Sequence, residues 1–276
     1  MLQNMSSTIS VITPVRKIRL GQVALPTEHG SWGFLLEPLV AGLAIAYSPG
    51  GAWVALMVIG VFLLRQPLKI IGIDRIYGRR LPQTTYAIRF ALIYVAIFAA
   101  GIWGSLATLQ PQYFIPFALI IPFAAYQLYC DATRRSRQLI AEVIGSVAIA
   151  SSIAVIALAD SWSEAQALSL WAIMAARSIP SILYVRHRLN LEKQKSFSRI
   201  VPLSAHLAAF AVVLYLAFSG LSPYLVVVMF GVLFVRGVIG LSAYRKKVKA
   251  MKIGIGEVIY GTLTVASLIV GYYTGF

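Results

Sequence analysis

The stretch that decides the fold is Pro26–Pro38, PTEHGSWGFLLEP. It sets Glu28 and His29 at the mouth of an apolar run and Glu37 inside it. A carboxylate is costly in hydrocarbon and faces a bundle interior or a watery cavity. Trp32 suits an interfacial ring at a membrane boundary, and Gly30 and Gly33 leave room for a close neighbour. Two readings follow. The plainer one is a helix start whose acidic residues favour the N-terminal end of the helix dipole. The sharper one is one wall of a polar site just inside the cytoplasmic face.

Outward from this stretch the chain stays apolar. Of its 276 residues, 59% are hydrophobic and 12% charged, and mean hydropathy is +0.80. Repeated long apolar runs define an all-α, polytopic membrane bundle. Nine spans are expected, near 31–48, 51–71, 86–107, 112–129, 138–158, 164–184, 201–219, 223–243 and 256–274. The first two join through Ser48-Pro49-Gly50-Gly51, a tight-turn signal. Pro116, Pro122 and Pro180 fall inside spans, where neighbouring helices can satisfy the freed backbone groups. Residues 1–25 read as a cytoplasmic or interfacial tail without a signal peptide, and 26–276 as one transmembrane domain. The lone Cys130 excludes a disulfide framework and reads as a small buried residue.

The connecting loops alternate in charge. Those near 49–51, 108–111 and 219–222 carry none, and the one near 159–163 carries only Asp160. The other side holds Arg16, Lys17 and Arg19, then Arg75, Arg79 and Arg80, then Arg134, Arg135 and Arg137. It continues through Arg186, Arg188, Lys193, Lys195 and Arg199 to Arg245, Lys246, Lys247, Lys249 and Lys252. The basic side faces the cytoplasm. The N-terminus is then inside and the C-terminus outside. This distribution also accounts for the net charge of +15, which anchors topology and meets anionic lipid rather than nucleic acid.

Charges inside the spans are Glu37, Arg65, Lys69, Arg89, Glu142, Arg177, Arg236 and Glu257. All fall in the cytoplasmic half or at its boundary, and His206 joins them. Arg89, Lys69 and Glu257 can snorkel to the interface, and a pair such as Arg177 with Glu142 can be purely structural. Arg177 and Arg236 lie deeper. A weak repeat places a deep and a boundary arginine on each of three even-numbered helices: Arg177 and Arg186, Arg236 and Arg245, Arg65 and Arg75. Deep charges of both signs at one face point to a polar pocket open to the cytoplasm.

PTEHGSWGFLLEP, DATRRSRQLIAEVIG (131–145) and ARSIPSILYVRHRL (176–189) resemble the YwiC-like family of bacterial membrane proteins, and the likeness runs over most of the chain. More distantly, nine helices with the N-terminus inside resemble the UbiA-type intramembrane prenyltransferases. Their basic loop leading into a glutamine-and-glycine helix looks like 129–145 here. That resemblance implies two aspartate-rich motifs holding Mg²⁺ and a prenyl diphosphate. Here LLRQPLKIIGIDRIYGRR (63–80) offers only Asp74, and ARSIPSILYVRHRLNLEK (176–193) no aspartate. Mg²⁺ needs hard oxygen ligands, so no metal site and no cofactor are expected.

Three functions fit these residues. One is a membrane enzyme or binder for an anionic, isoprenoid or phospholipid, amphipath. Arg65, Lys69, Arg177, Arg186 and Arg236 would hold the head group. Glu37, His29 and Glu142 would be the acid–base candidates, with Glu28, Asp74, His206 and Glu257 completing the pocket. The second is a non-catalytic assembly or regulatory subunit whose charges lock helices together. The third is a small-solute transporter, against which the uncharged outer halves of the helices count. A haem between His29 and His206 is compatible with their positions, but nothing further in the sequence supports it.

Overall fold

The computed structural model describes residues 19–26, 29–78 and 81–276; of residue 29 it describes only the backbone. Their regular structure is helical: α1 (Leu20–Ala24), α2 (His29–Ile45), α3 (Pro49–Ile76), α4 (Pro82–Thr108), α5 (Ile115–Ala132), α6 (Leu139–Ala159), α7 (Glu164–Glu192), α8 (Ile200–Phe218), α9 (Tyr224–Leu241) and α10 (Ala250–Thr274). A 3₁₀ turn, Pro111–Phe114, leads into α5.

Eight of these helices, α3 to α10, are long and apolar enough to cross a membrane. α2 is shorter, at 17 residues. At about 1.5 Å per residue it reaches ~25 Å, near the lower limit for a span. Two helices outrun their expected ends. α3 has 28 residues and α7 has 29. Arg75, Arg186 and Arg188 therefore ride on helices rather than in loops. The Ser48–Gly51 turn is also a cap: the Ser48 hydroxyl accepts from the Gly51 amide at 3.0 Å, with Pro49 opening α3. At the head of α7, Ser163 and Gln166 satisfy one another in a capping box.

α6 is the hub, packing on α2, α3, α5 and α7. Its Ala150–Leu158 stretch, ASSIAVIAL, is buried at every position. Small residues permit that close approach, which membrane helices use in place of a hydrophobic drive. α10 lies between α9 and α2, so α6, α7, α8, α9, α10 and α2 form a closed ring of neighbours. α3 flanks this ring and packs on both α4 and α5. The α3–α4 seam is the tightest: a Cβ on Gly101 would strike the backbone of Met57, and one on Gly104 the ring of Trp53.

Of the expected tail, Val23 and Ala24 are buried. Gln66 Nε2 donates to the Gln22 carbonyl at 2.8 Å, and the Tyr94 hydroxyl donates to the Ala24 carbonyl at 3.1 Å. Trp32 turns inward, its Nε1 bonded to the Pro26 carbonyl at 3.2 Å and its ring edge-on to Phe62. Cys130 is buried and free.

Candidate functional site

At the end of the bundle that carries the basic connections, two arginines and two glutamates interlock. Glu37 comes from α2, Arg177 from α7, Arg236 from α9 and Glu257 from α10. Arg177 Nη2 lies 3.7 Å from Glu37 Oε1, and its Nη1 lies 3.7 Å from Glu257 Oε2. It also donates to Ser181 Oγ and to the Glu257 carbonyl. Arg236 Nη2 meets Glu257 Oε1 at 2.5 Å. The Arg236 guanidinium sits between the rings of Tyr184 and Tyr260, 4.1 and 4.6 Å from their centroids. Such stacking offsets part of the desolvation of a buried cation. Gly261 makes the arrangement possible: a Cβ there would fall on the Glu37 carboxylate.

A second cluster links α3 and α5. Arg65 grips Asp131 with two bonds, Nε to Oδ2 at 2.6 Å and Nη2 to Oδ1 at 3.1 Å. Gln127 Nε2 donates to the same Oδ1 at 3.2 Å. Nearer the surface, Arg186 Nε meets Glu142 Oε2 at 3.0 Å and also donates to the Arg137 carbonyl.

Both clusters border one cavity of about 820 Å³. Its polar end is lined by Glu37, Arg65, Gln127, Glu142, Arg177, Arg186 and Glu257, with Arg137 at the rim. The remaining wall is apolar, built from residues such as Phe62, Phe98, Phe114, Phe117 and Ile149. The cavity is open at its side. Leu106 of α4 and Ile121 of α5 both line it, yet are 59% and 64% exposed. Gly30 and Gly33 line it too; no side chain of a neighbouring helix crowds either, so they border space rather than a close partner.

Several expected pocket residues lie elsewhere. Arg236 does not line the cavity; it stands behind Glu257. Lys69 bonds Ser136 Oγ at 2.9 Å, and buried Asp74 accepts from Thr84 at 2.5 Å, both outside the lining. His206 is buried with Nδ1 2.8 Å from the Pro202 carbonyl, its ring edge-on to Tyr184. Glu142 and Arg177, a pairing the spacing allowed, take different partners. Glu28 lies outside the described residues, as does the side chain of His29. Arg89 is exposed beside the Tyr86 ring, as a snorkelling residue would be.

Sequence reasoning missed Gln127 and Gly261, named Arg137 only as a loop charge, and saw Asp131 only as part of a motif. Arg188 was expected in a basic loop. It is buried, donating to the carbonyls of Gly240 and Lys246 and pairing with Glu192 at 2.9 Å. It clamps the connection between α9 and α10.

The cavity's charges are largely compensated. Asp131 answers Arg65, Glu142 answers Arg186, and Glu37 and Glu257 answer Arg177 and Arg236. These residues do not fit a Mg²⁺ diphosphate site. Each carboxylate is engaged by an arginine, and among the described residues no three His, Cys, Asp or Glu side chains gather as a metal group.

Helices of this length and apolarity, with charges drawn to one end, define a multi-pass helical membrane protein. Residues 25–157 match the model of the YwiC-like protein family. The match takes in all of PTEHGSWGFLLEP and all of 131–145, but stops before 176–189. No curated protein matches, and no solved structure does.

Proposed function

We propose that the cavity holds an anionic amphipathic lipid, isoprenoid or phospholipid in class, with its chain among the aromatic residues and its head group at the polar end. The observation that carries this reading is the shape of the chemistry: about 820 Å³ of mainly apolar wall ending in guanidinium and carboxylate groups. That volume lies in the ~300–1,000 Å³ range of small-molecule sites. Arg137 is the group best placed to meet a head group. It is exposed at the rim and makes no ion pair among the described residues, unlike Arg65, Arg177 and Arg186. Glu37 and Glu142 are the lining groups able to accept a proton if the lipid is also processed. The polar end faces the cytoplasm of the inner membrane in this reading, because the basic connections lie there.

The test is binding of oleoyl lysophosphatidic acid and the zwitterionic oleoyl lysophosphatidylcholine to purified protein, each with and without a chelator. The anionic probe is expected to bind more tightly, to lose affinity in Arg137→Glu, and to ignore the chelator. Lys246→Ala, in a solvated connection where screening is strong, is the neutral control. Strict Mg²⁺ dependence or equal binding of both probes contradicts the reading. The compensated ion pairs favour a second reading, a non-catalytic subunit whose charges only join helices. That reading predicts binding of neither probe.

A further inference from the structure

Glu37 is a carboxylate that the bundle leaves without a hydrogen bond. It lines the cavity from α2, and its side chain keeps 12% of its surface open. The other carboxylates of the lining are served: Glu142 accepts from Arg186 at 3.0 Å, and Glu257 from Arg236 at 2.5 Å. The cation nearest Glu37 is Arg177, whose Nη2 stops 3.7 Å from Oε1. That is ion-pair range, beyond hydrogen-bond reach. Arg177 is not free to close the gap, because Nη1 donates to Ser181 Oγ and Nη2 to the Glu257 carbonyl at 3.1 Å. Among the described residues no other donor reaches Glu37. Its oxygens are not sealed in the protein, unlike Oε2 of Glu257. The helix beside it is bare: Gly33, one turn earlier, and Gly30, two turns earlier, both line the cavity without a side chain. An ionised carboxylate accepts hydrogen bonds and donates none. Whatever fills the space beside Glu37 must therefore bring the donor.

We propose that the Glu37 carboxylate takes hydroxyl groups of the ligand's head group, so that the site prefers an anionic lipid whose head group is a polyol. This rests on the anionic-lipid reading above and narrows it. Local charge decides between a hydroxyl and an amine. Glu37 and Glu257 already balance Arg177 and Arg236. An ammonium group beside Glu37 would add an unanswered charge in a low-dielectric bundle, whereas a hydroxyl donates and leaves the balance as it is. The same carboxylate repels the lipid's own anion, which is left to Arg137 at the rim. A vicinal diol suits the place best, since its hydroxyls can meet both oxygens of one carboxylate.

The experiment compares oleoyl lysophosphatidylglycerol with oleoyl lysophosphatidylmethanol on purified protein. Both are singly charged phosphodiesters with the same chain, and only the first carries a head-group diol. Wild type is expected to bind the diol probe roughly ten-fold more tightly, the worth of one hydrogen bond to a charged acceptor. Glu37→Met keeps the bulk and removes the acceptor, and it is expected to bind both probes alike. Gly33→Ala is the variant that leaves the ion cluster intact. Its methyl would lie 3.5 Å from Glu37 Oε1, an ordinary contact that covers part of the carboxylate. It is expected to lower the diol preference while leaving lysophosphatidylmethanol binding unchanged. Equal binding of both probes by wild type overturns the inference and leaves the anionic reading standing. A diol preference that survives in Glu37→Met also overturns it, by assigning the hydroxyl contact to another group. Should that variant not fold, an undiminished preference in Gly33→Ala has the same force. Binding of neither probe removes the anionic reading, and this inference falls with it.

Discussion

The carboxylate of Glu37 rests against the bare backbone of Gly261, in space that any larger residue would fill. One helix thus supplies the absence of a side chain that another helix needs to bury a charge. Arg177 completes the fit, with its Nη2 3.7 Å from Glu37 and 3.3 Å from where a Cβ on Gly261 would lie.

Gly261→Ala is therefore expected to destabilise the protein by ~1–3 kcal/mol, the usual cost of overpacking. Gly256→Ala, on the same helix with open space around it, is expected to be neutral or to stabilise by up to ~1 kcal/mol through helix propensity. Thermal unfolding in a single detergent, wild type against both variants, checks the contrast.

Glu257 serves two arginines at once, and its side chain is 17% exposed. Glu257→Ala leaves Arg177 and Arg236 short of charge in a buried setting, where breaking a pair costs ~3–5 kcal/mol. Glu142→Ala removes a pair whose side chains are 35% and 37% exposed, for which ~0–1 kcal/mol is the expected loss. The order of the two melting temperatures is the readout, with Glu257→Ala far the lower.

Arg188→Ala is expected to free the connection between α9 and α10, because the lost side chain ties the carbonyls of Gly240 and Lys246 to α7. Limited trypsin digestion then cuts faster among Arg245, Lys246 and Lys247. Arg188→Lys restores little, since an ammonium cannot reproduce the two-armed contact.

Reporter fusions test the orientation. A reporter after Lys247 is expected to read cytoplasmic and one after Phe276 external. A cytoplasmic signal from the second means that an odd number of crossings is wrong, and the short α2 is then the helix that does not cross.

Much of this fold is written in local chemistry. The alternation of charged and uncharged connections places the helix boundaries, because apolar runs and basic loops are properties of neighbouring residues. The excess length of α3 and α7 is not written that way. Arg75 and Arg186 look like loop residues by charge, and only tertiary partners such as Glu142 hold the last turns of α7 in place. The site is legible in its charged members: Glu37, Glu142, Arg177 and Arg65 all stand out against hydrocarbon. Their partners are not. That Arg65 meets Asp131 and not Glu37, or that Arg236 belongs behind Glu257, depends on which helices are neighbours. Gly261 carries no signal at all in the sequence, since its part is to leave room.

The side opening between Leu106 and Ile121 has a consequence for supply. In the lipid-binding reading proposed above, its exposed apolar side chains open it to hydrocarbon rather than to either aqueous compartment. A molecule that enters there never has to dissolve in water, and its availability is counted per area of membrane instead of per volume of cytoplasm. Occupancy then follows the composition of the surrounding leaflet, and a detergent that replaces the leaflet replaces the competitor at that door as well.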